Sequence, residues 1–167
     1  MKNLLILFFL FVIINEYIVA QFVSRDPKNR ARINNFNISP FIVAKDQDSI
    51  KIITFLEFPY STLQFIKKEN RYIASYQASI GLGIKGELQR EHKDWVDSIV
   101  VDDYADSKAT YKSRKHFYTF VVSKDYNYHI TGELQDLDTR KKGTNKKDVV
   151  LNINNDNPIL LKPNFLM

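Results

Sequence analysis

Tyr126-Asn127-Tyr128-His129-Ile130-Thr131-Gly132-Glu133-Leu134-Gln135-Asp136-Leu137 alternates without interruption. Tyr126, Tyr128, Ile130, Gly132 and Leu134 fall on one side, and Asn127, His129, Thr131, Glu133 and Gln135 on the other. A period of two marks an extended strand with a dry face and a wet face. The pattern recurs upstream. In Ser49 to Phe58, Ile50, Ile52, Leu56 and Phe58 share a face while Lys51 and Glu57 point away. In Arg71 to Lys85, Tyr72, Ala74, Tyr76, Ala78, Ile80 and Leu82 line one side, with Arg71, Ser75, Gln77 and Ser79 mostly opposite. Lys115 to Val122 alternates Phe117, Thr119 and Val121 with Tyr118, Phe120 and Val122.

Four further runs are weaker. Phe36 to Ala44 is broken at Pro40, and Tyr60 to Ile66 alternates Leu63 and Phe65. Leu88 to Val96 fits a strand or a short helix; Ile99, Val100 and Val101 close behind it favour a strand over Glu87 to Val101. Asp148 to Ile153 reads as the last strand. Pro59, Lys67 to Asn70, Gly86, Ser123 to Asp125 and a basic hairpin from Asp138 to Lys146 around Gly143 punctuate these runs. Gly81 and Gly83 point to a bulge or a close backbone approach. No 3.6-residue period is sustained. Seven or eight short strands with turns every 8–15 residues or so predict an all-β fold, an antiparallel β-sandwich of Ig-like or fibronectin-like type. A closed barrel of the lipocalin kind has similar strand statistics.

The flanks differ. Met1-Lys2-Asn3 precedes an apolar run from Leu4 to Ile14, closed by Asn15-Glu16 and ending in Tyr17-Ile18-Val19-Ala20. That order is a signal peptide, residues 1–20, cleaved after Ala20. A retained anchor would need about 20 apolar residues, which Asn15 and Glu16 interrupt. The mature chain is then exported, periplasmic or extracellular, with no transmembrane span. Residues 21–35 are polar and read as a flexible leader. The sandwich takes 36–153, and 154–167 is a linker or the start of a further segment.

Residues 21–167 suffice for one domain of ordinary size. The sequence has no Cys, which excludes a disulfide scaffold and thiol chemistry. With 12 Phe and 9 Tyr against 5 Gly and 5 Pro, composition leans toward strands. The net charge is +5, and basic residues cluster at Lys67-Lys68, Lys112 to Lys115 and Arg140 to Lys147. Such clusters meet anionic polymers or lipid head groups, or serve as solvated turns and edge protection. Export argues against a nucleic-acid partner.

The residues that could carry chemistry are few. His92, His116 and His129 have no metal-ligand spacing, and no Ser sits in a nucleophile elbow. Gly81-Leu82-Gly83-Ile84-Lys85-Gly86 has dinucleotide-fingerprint spacing without the helix that must follow. Asp94, Asp97, Asp102, Asp103 and Asp106 could hold an ion but lack EF-hand spacing. Asn37-Ile38-Ser39 matches a glycosylation acceptor, with Pro40 directly after it. No catalytic residue, metal site or cofactor is expected, and the chain reads as a non-enzyme.

Phe58-Pro59-Tyr60-Ser61-Thr62-Leu63-Gln64-Phe65, the strand from Arg71 to Leu82, and Leu134-Gln135-Asp136-Leu137-Asp138 at a strand end before a basic turn form a set. In them, the segment from Phe36 to Ile153 resembles the N-terminal β-sandwich region of GWxTD-domain proteins, an exported bacterial family without an assigned activity. Asn157-Pro158-Ile159-Leu160-Leu161 is similar to the segment leading out of that region. The Gly-Trp-x-Thr-Asp signature is absent, since the single Trp lies in Lys93-Asp94-Trp95-Val96-Asp97. The resemblance implies a β-sandwich and no catalytic residues.

The expectation is therefore a non-catalytic interaction or structural module of the bacterial envelope. Its partner would be a protein or an envelope polymer, and Arg140, Lys141, Lys142, Lys146 and Lys147 would form the contact to an anionic glycan or lipid head group. One alternative is a carbohydrate-binding or accessory domain of a glycan-processing protein, which needs exposed rings among Tyr60, Tyr72, Tyr104, Tyr111, Tyr118 and Trp95. A second is a lipocalin-like small-ligand carrier.

Overall fold

The computed structural model describes residues 32–86 and 89–149. Residues 1–31, which include the stretch read as a signal peptide and most of the expected leader, and residues 150–167, with the end of the expected last strand, lie outside the described residues. Alternation of apolar and polar side chains sorts the rest into strands β1 (Asn37–Ala44), β2 (Ser49–Pro59), β3 (Ile66–Lys68), β4 (Arg71–Ile84), β5 (Gln89–Val101), β6 (Ser113–Ser123), β7 (Tyr128–Asp136) and β8 (Lys142–Val149). Every pairing is antiparallel. One sheet has the order β1-β2-β6; in the other, β8, β7, β4 and β5 lie side by side, and β3 pairs with the start of β4. Strand β5 thus joins β4 rather than the sheet of β2 and β6, the fibronectin-like variant of an Ig-like sandwich. The sheets share no ladder among the described residues, which sets the sandwich apart from the single closed sheet that a lipocalin-like carrier requires.

The inward set is the expected one. Ile50, Ile52, Leu56 and Phe58 of β2 face Ala74, Tyr76, Ala78, Ile80 and Leu82 of β4 and Ile130 and Leu134 of β7. The Phe58 and Tyr76 rings meet edge to face across the gap, 5.0 Å between centres. Each such large side chain contributes about 1.5–3 kcal/mol on burial. Strand β6 turns Phe120 inward and leaves Phe117 and Val121 outside. The bulge expected near Gly81 and Gly83 falls between Leu82 and Gly83, and a β-carbon on Gly83 would lie 2.4 Å from the His129 ring.

Several boundaries differ from the sequence reading, each for a local reason. Ile33, placed in the leader, is buried and donates its N–H to the Lys142 carbonyl. It fits because Gly143 has no side chain there: a β-carbon would stand 2.0 Å from the Ile33 oxygen. Pro40 does not break β1, because an edge strand tolerates a missing N–H on its outer side. Tyr60 to Ile66 is not a strand. Tyr60–Thr62 forms a single 3-10 turn, held by Tyr60 N–H to the Lys112 carbonyl and Ser61 N–H to the Ala109 carbonyl. Leu63 and Phe65 then both drop into the core. Tyr126 lies outside β7 and is exposed.

Gly143 sits inside β8 rather than in the preceding turn, and β8 begins at Lys142 instead of Asp148. The reason is Asp136, buried at the end of β7. One of its oxygens accepts from the N–H groups of Asp138 and Thr139, closing the turn early. The other accepts from Gln64 N–H at 2.7 Å, tying in the β2–β3 crossover. Such bonds to a charged acceptor contribute about 1.5–3 kcal/mol each.

Two substitutions test this packing. Gly143→Ala is expected to lower stability by about 1–3 kcal/mol, the range for overpacking a tight contact, read as a lower urea midpoint. Thr54 is fully buried on the inner face of β2, and its hydroxyl has no partner among the described residues. Thr54→Val replaces that hydroxyl with a methyl group and is expected to raise stability by about 1 kcal/mol in the same measurement.

Candidate functional site

The five expected cations do not converge. Arg140 and Lys141 occupy the β7–β8 turn, Arg140 with a left-handed φ of 59°. Lys142 points outward from β8 and pairs with Glu133 at 2.7 Å. Lys146, opposite Thr131, shares that outer face. Lys147 turns the other way, its Nζ 3.4 Å from the Asn37 side-chain oxygen. Alternation along one strand separates what the sequence lists side by side.

The aspartates do not converge either. Asp94 lies beside His92 on the outer face of β5, Asp102 pairs with Arg71, and Asp106 pairs with Lys112. Asp103 caps the one-turn helix α1 (Tyr104–Ser107) by accepting the Ala105 N–H. Among the described residues no cluster of three or more His, Asp or Glu could hold a metal ion. Gly86 turns with a φ of +91° toward β5, not into a helix. Asn37 is exposed, and its amide donates to Ser39 Oγ. No helix among the described residues is long and apolar enough to cross a membrane.

Asp97 belongs to a constellation that sequence reading missed. The inward side of β5 meets β6 across the open side of the sandwich. Tyr76, fully buried, places its hydroxyl 3.1 Å from Asp97 Oδ2 and 2.8 Å from His116 Nε2. A carboxylate only accepts, so the tyrosine donates to Asp97 and accepts the Nε2–H of His116. The imidazole stacks on Trp95, ring centres 4.8 Å apart. Arg114 borders the set, 3.9 Å from Asp97. Farther along, Tyr118 donates to Glu91 at 3.0 Å. Burial pushes the Tyr76 hydroxyl well above its usual range. Burial, then the Arg114 charge, lowers the pKa of His116 below the usual value of 6.5, while Asp97 opposes. The Ser98 N–H holds the Asp97 carboxyl low. The arrangement keeps the imidazole neutral and the two strand edges together.

Three surfaces remain. The outer face of the β1-β2-β6 sheet carries a row of rings, Phe41 against Phe55 at 5.6 Å and Phe55 against Phe117 at 5.9 Å. Phe117 is 63% exposed, and Val43 and Val121 extend the row. The outer face of the other sheet is polar apart from Val96 and Val100 on β5, with a groove of about 210 Å³ between His92 and Asp94 on one side and Thr131 and Glu133 on the other. At the end of the first sheet, where Asn37, Pro59 and Ser113 meet, a cleft of about 340 Å³ lies between Asn34-Asn35 and Thr110-Tyr111. Of the six aromatic candidates, Tyr104 and Tyr111 are exposed, and Tyr60, Tyr72, Tyr118 and Trp95 are half-buried.

No protein-family model matches the chain, and no curated protein does. Among solved structures it is similar to the β-glucuronidase of Bacteroides uniformis, with a TM-score of 0.34 and 8% identity over 70% of this chain and 13% of that one. A Bacteroides uniformis β-glucuronidase 2 covalently bound to cyclophellitol-6-carboxylate aziridine gives the same values. The solution structure of R. palustris CsgH gives a TM-score of 0.30 and 4% identity over 65% of this chain and 89% of that one. The chain thus spans 13% of the length of each glucuronidase.

The β5–β6 seam predicts a pH response. An imidazole whose folded pKa is depressed makes stability greatest above its unfolded pKa near 6.5, and that stability is lost as pH falls toward the folded value. Emission of Trp95, the single tryptophan, is expected to change as the stacked imidazole gains a proton, with a midpoint below 6.5. His116→Gln is expected to abolish the transition. A fluorescence titration checks both.

Proposed function

We propose that the chain is an exported, non-catalytic interaction module of the bacterial envelope that docks a partner protein on the outer face of its β1-β2-β6 sheet. The observation that carries this reading is the row Phe41, Phe55 and Phe117 with Val43 and Val121, apolar side chains facing solvent from three adjacent strands. Contiguous exposed apolar surface on a folded domain marks an interaction site. The rim selects the partner's chemistry. Lys51 stands exposed between Val43 and Val121, and Lys115 lies beside Glu57 at the other end. An apolar surface with an acidic rim complements that pattern. The signal-like first twenty residues support export.

A photo-crosslinking residue at position 117, in the source cells, is expected to give a discrete protein adduct that the same residue at position 77, on the opposite sheet's outer face, does not give. Lys51→Glu is expected to weaken the adduct severalfold. Adducts consisting only of a second copy of the chain, adducts to lipid, or equal yields at the two positions would overturn the reading.

A further inference from the structure

The cleft at the end of the β1-β2-β6 sheet is built, not incidental. On one side the chain before β1 is pinned at three backbone points. Ile33 N–H donates to the Lys142 carbonyl, Thr62 Oγ1 to the Asn35 carbonyl at 2.8 Å, and Asn145 Nδ2 to the Phe36 carbonyl. Pinned in this way, Asn34 and Asn35 line the cleft, and their side-chain amides have no partner among the described residues. On the other side stands Tyr111, 80% exposed. Its neighbour Lys112 is fixed, accepting the Tyr60 N–H on its carbonyl and pairing with Asp106 at 2.6 Å. An exposed ring is thus carried on an anchored loop.

The charge in the cleft is already balanced. Glu57 accepts from Ser113 Oγ at 2.6 Å and faces Lys115 at 3.3 Å. These contacts, the Ser113 bond foremost, hold its carboxyl below the usual range. The groups left for a ligand are two amides, each able to donate and accept, and the apolar face of a tyrosine with its polar tip. An anionic ligand finds no cation among the residues that line the cleft. A wholly apolar one leaves the amides unpaired.

We propose that this cleft binds a neutral saccharide, with a sugar ring lying on Tyr111 and its hydroxyls bonded to Asn34 and Asn35. The site is separate from the ring row that docks a protein, so either can fail alone. The purified chain, run in native gels containing hydroxyethyl cellulose, laminarin or galactomannan, is expected to be retarded by at least one of them, and less by polygalacturonate. Tyr111→Ala is expected to weaken retardation about tenfold, the loss of one ring contact, while Tyr111→Phe preserves it. Asn34→Ala with Asn35→Ala is expected to weaken it as well, with thermal unfolding confirming that each variant stays folded. Absence of retardation by all three neutral polymers, stronger retardation by polygalacturonate, or a Tyr111→Ala chain that migrates like the parent would overturn the proposal.

Discussion

The sandwich depends on a close approach made possible by two missing side chains. Gly132 on β7 and Gly143 on β8 lie on neighbouring strands, next to each other's pairing partners. A β-carbon on Gly132 would stand 2.3 Å from Ile38 Cγ2, and one on Gly143 would meet the Ile33 backbone and the Phe36 ring. Together they make a smooth floor on which Ile33, Phe36 and Ile38 lie, all buried. The chain leading into β1 therefore becomes a side wall of the core instead of a tail. Ig domains of antibodies tie their two sheets with a disulfide. This chain has no cysteine, and close packing over bare backbone on that side takes over part of the role.

The opposite side of the sandwich is closed by other means. There β5 and β6 face each other, and the gap is spanned by Trp95 on His116, Tyr76 between Asp97 and His116, and Tyr118 on Glu91. Dry packing on one side is insensitive to protons; a hydrogen-bonded seam on the other is not. The Tyr76 hydroxyl has one proton to give, so while it donates to Asp97 the second bond is made only if His116 carries a proton on Nε2. The structural consequence is a domain with one fixed side and one titratable side.

Much of this was legible in the sequence, and the failures share a cause. The long strands β2, β4 and β7 were readable because their inner faces are uniformly apolar, so period two stands out. Even the bulge at Gly83 was signalled by paired glycines. Ile33 was hidden because Asn34 and Asn35 beside it are polar, and its burial is decided by Gly143, far along the chain. Gly143 itself looked like a turn residue among lysines, since nothing local announces that an absent side chain is needed in a strand. The turn that does precede β8 is set by Asp136, whose buried carboxylate binds N–H groups on two crossovers. The site was less legible still. Tyr76, Asp97 and His116 come from three strands in two sheets, and no spacing along the chain encodes their meeting. The lysines of β8 failed in the opposite sense, being close in sequence and split by the pleat.

One feature of the sequence carries more than fold. A two-layer sandwich needs apolar side chains only on the inward face of each strand, and antiparallel sheets usually show a wet outer face. The β4 strand obeys, with Ser75, Gln77 and Ser79 outside. Strand β6 departs from this: Phe117 and Val121 lie outside while Phe120 lies inside, and Ile53 and Phe55 do the same for β2, so apolar side chains stand on both faces, with Lys51, Glu57 and Lys115 beside them on the outer one. Strands apolar on both faces belong in the middle of three layers. The described residues supply two. The outer rings are thus apolar side chains of the kind a covering layer buries, and the proposed partner protein would lie across them on β1, β2 and β6.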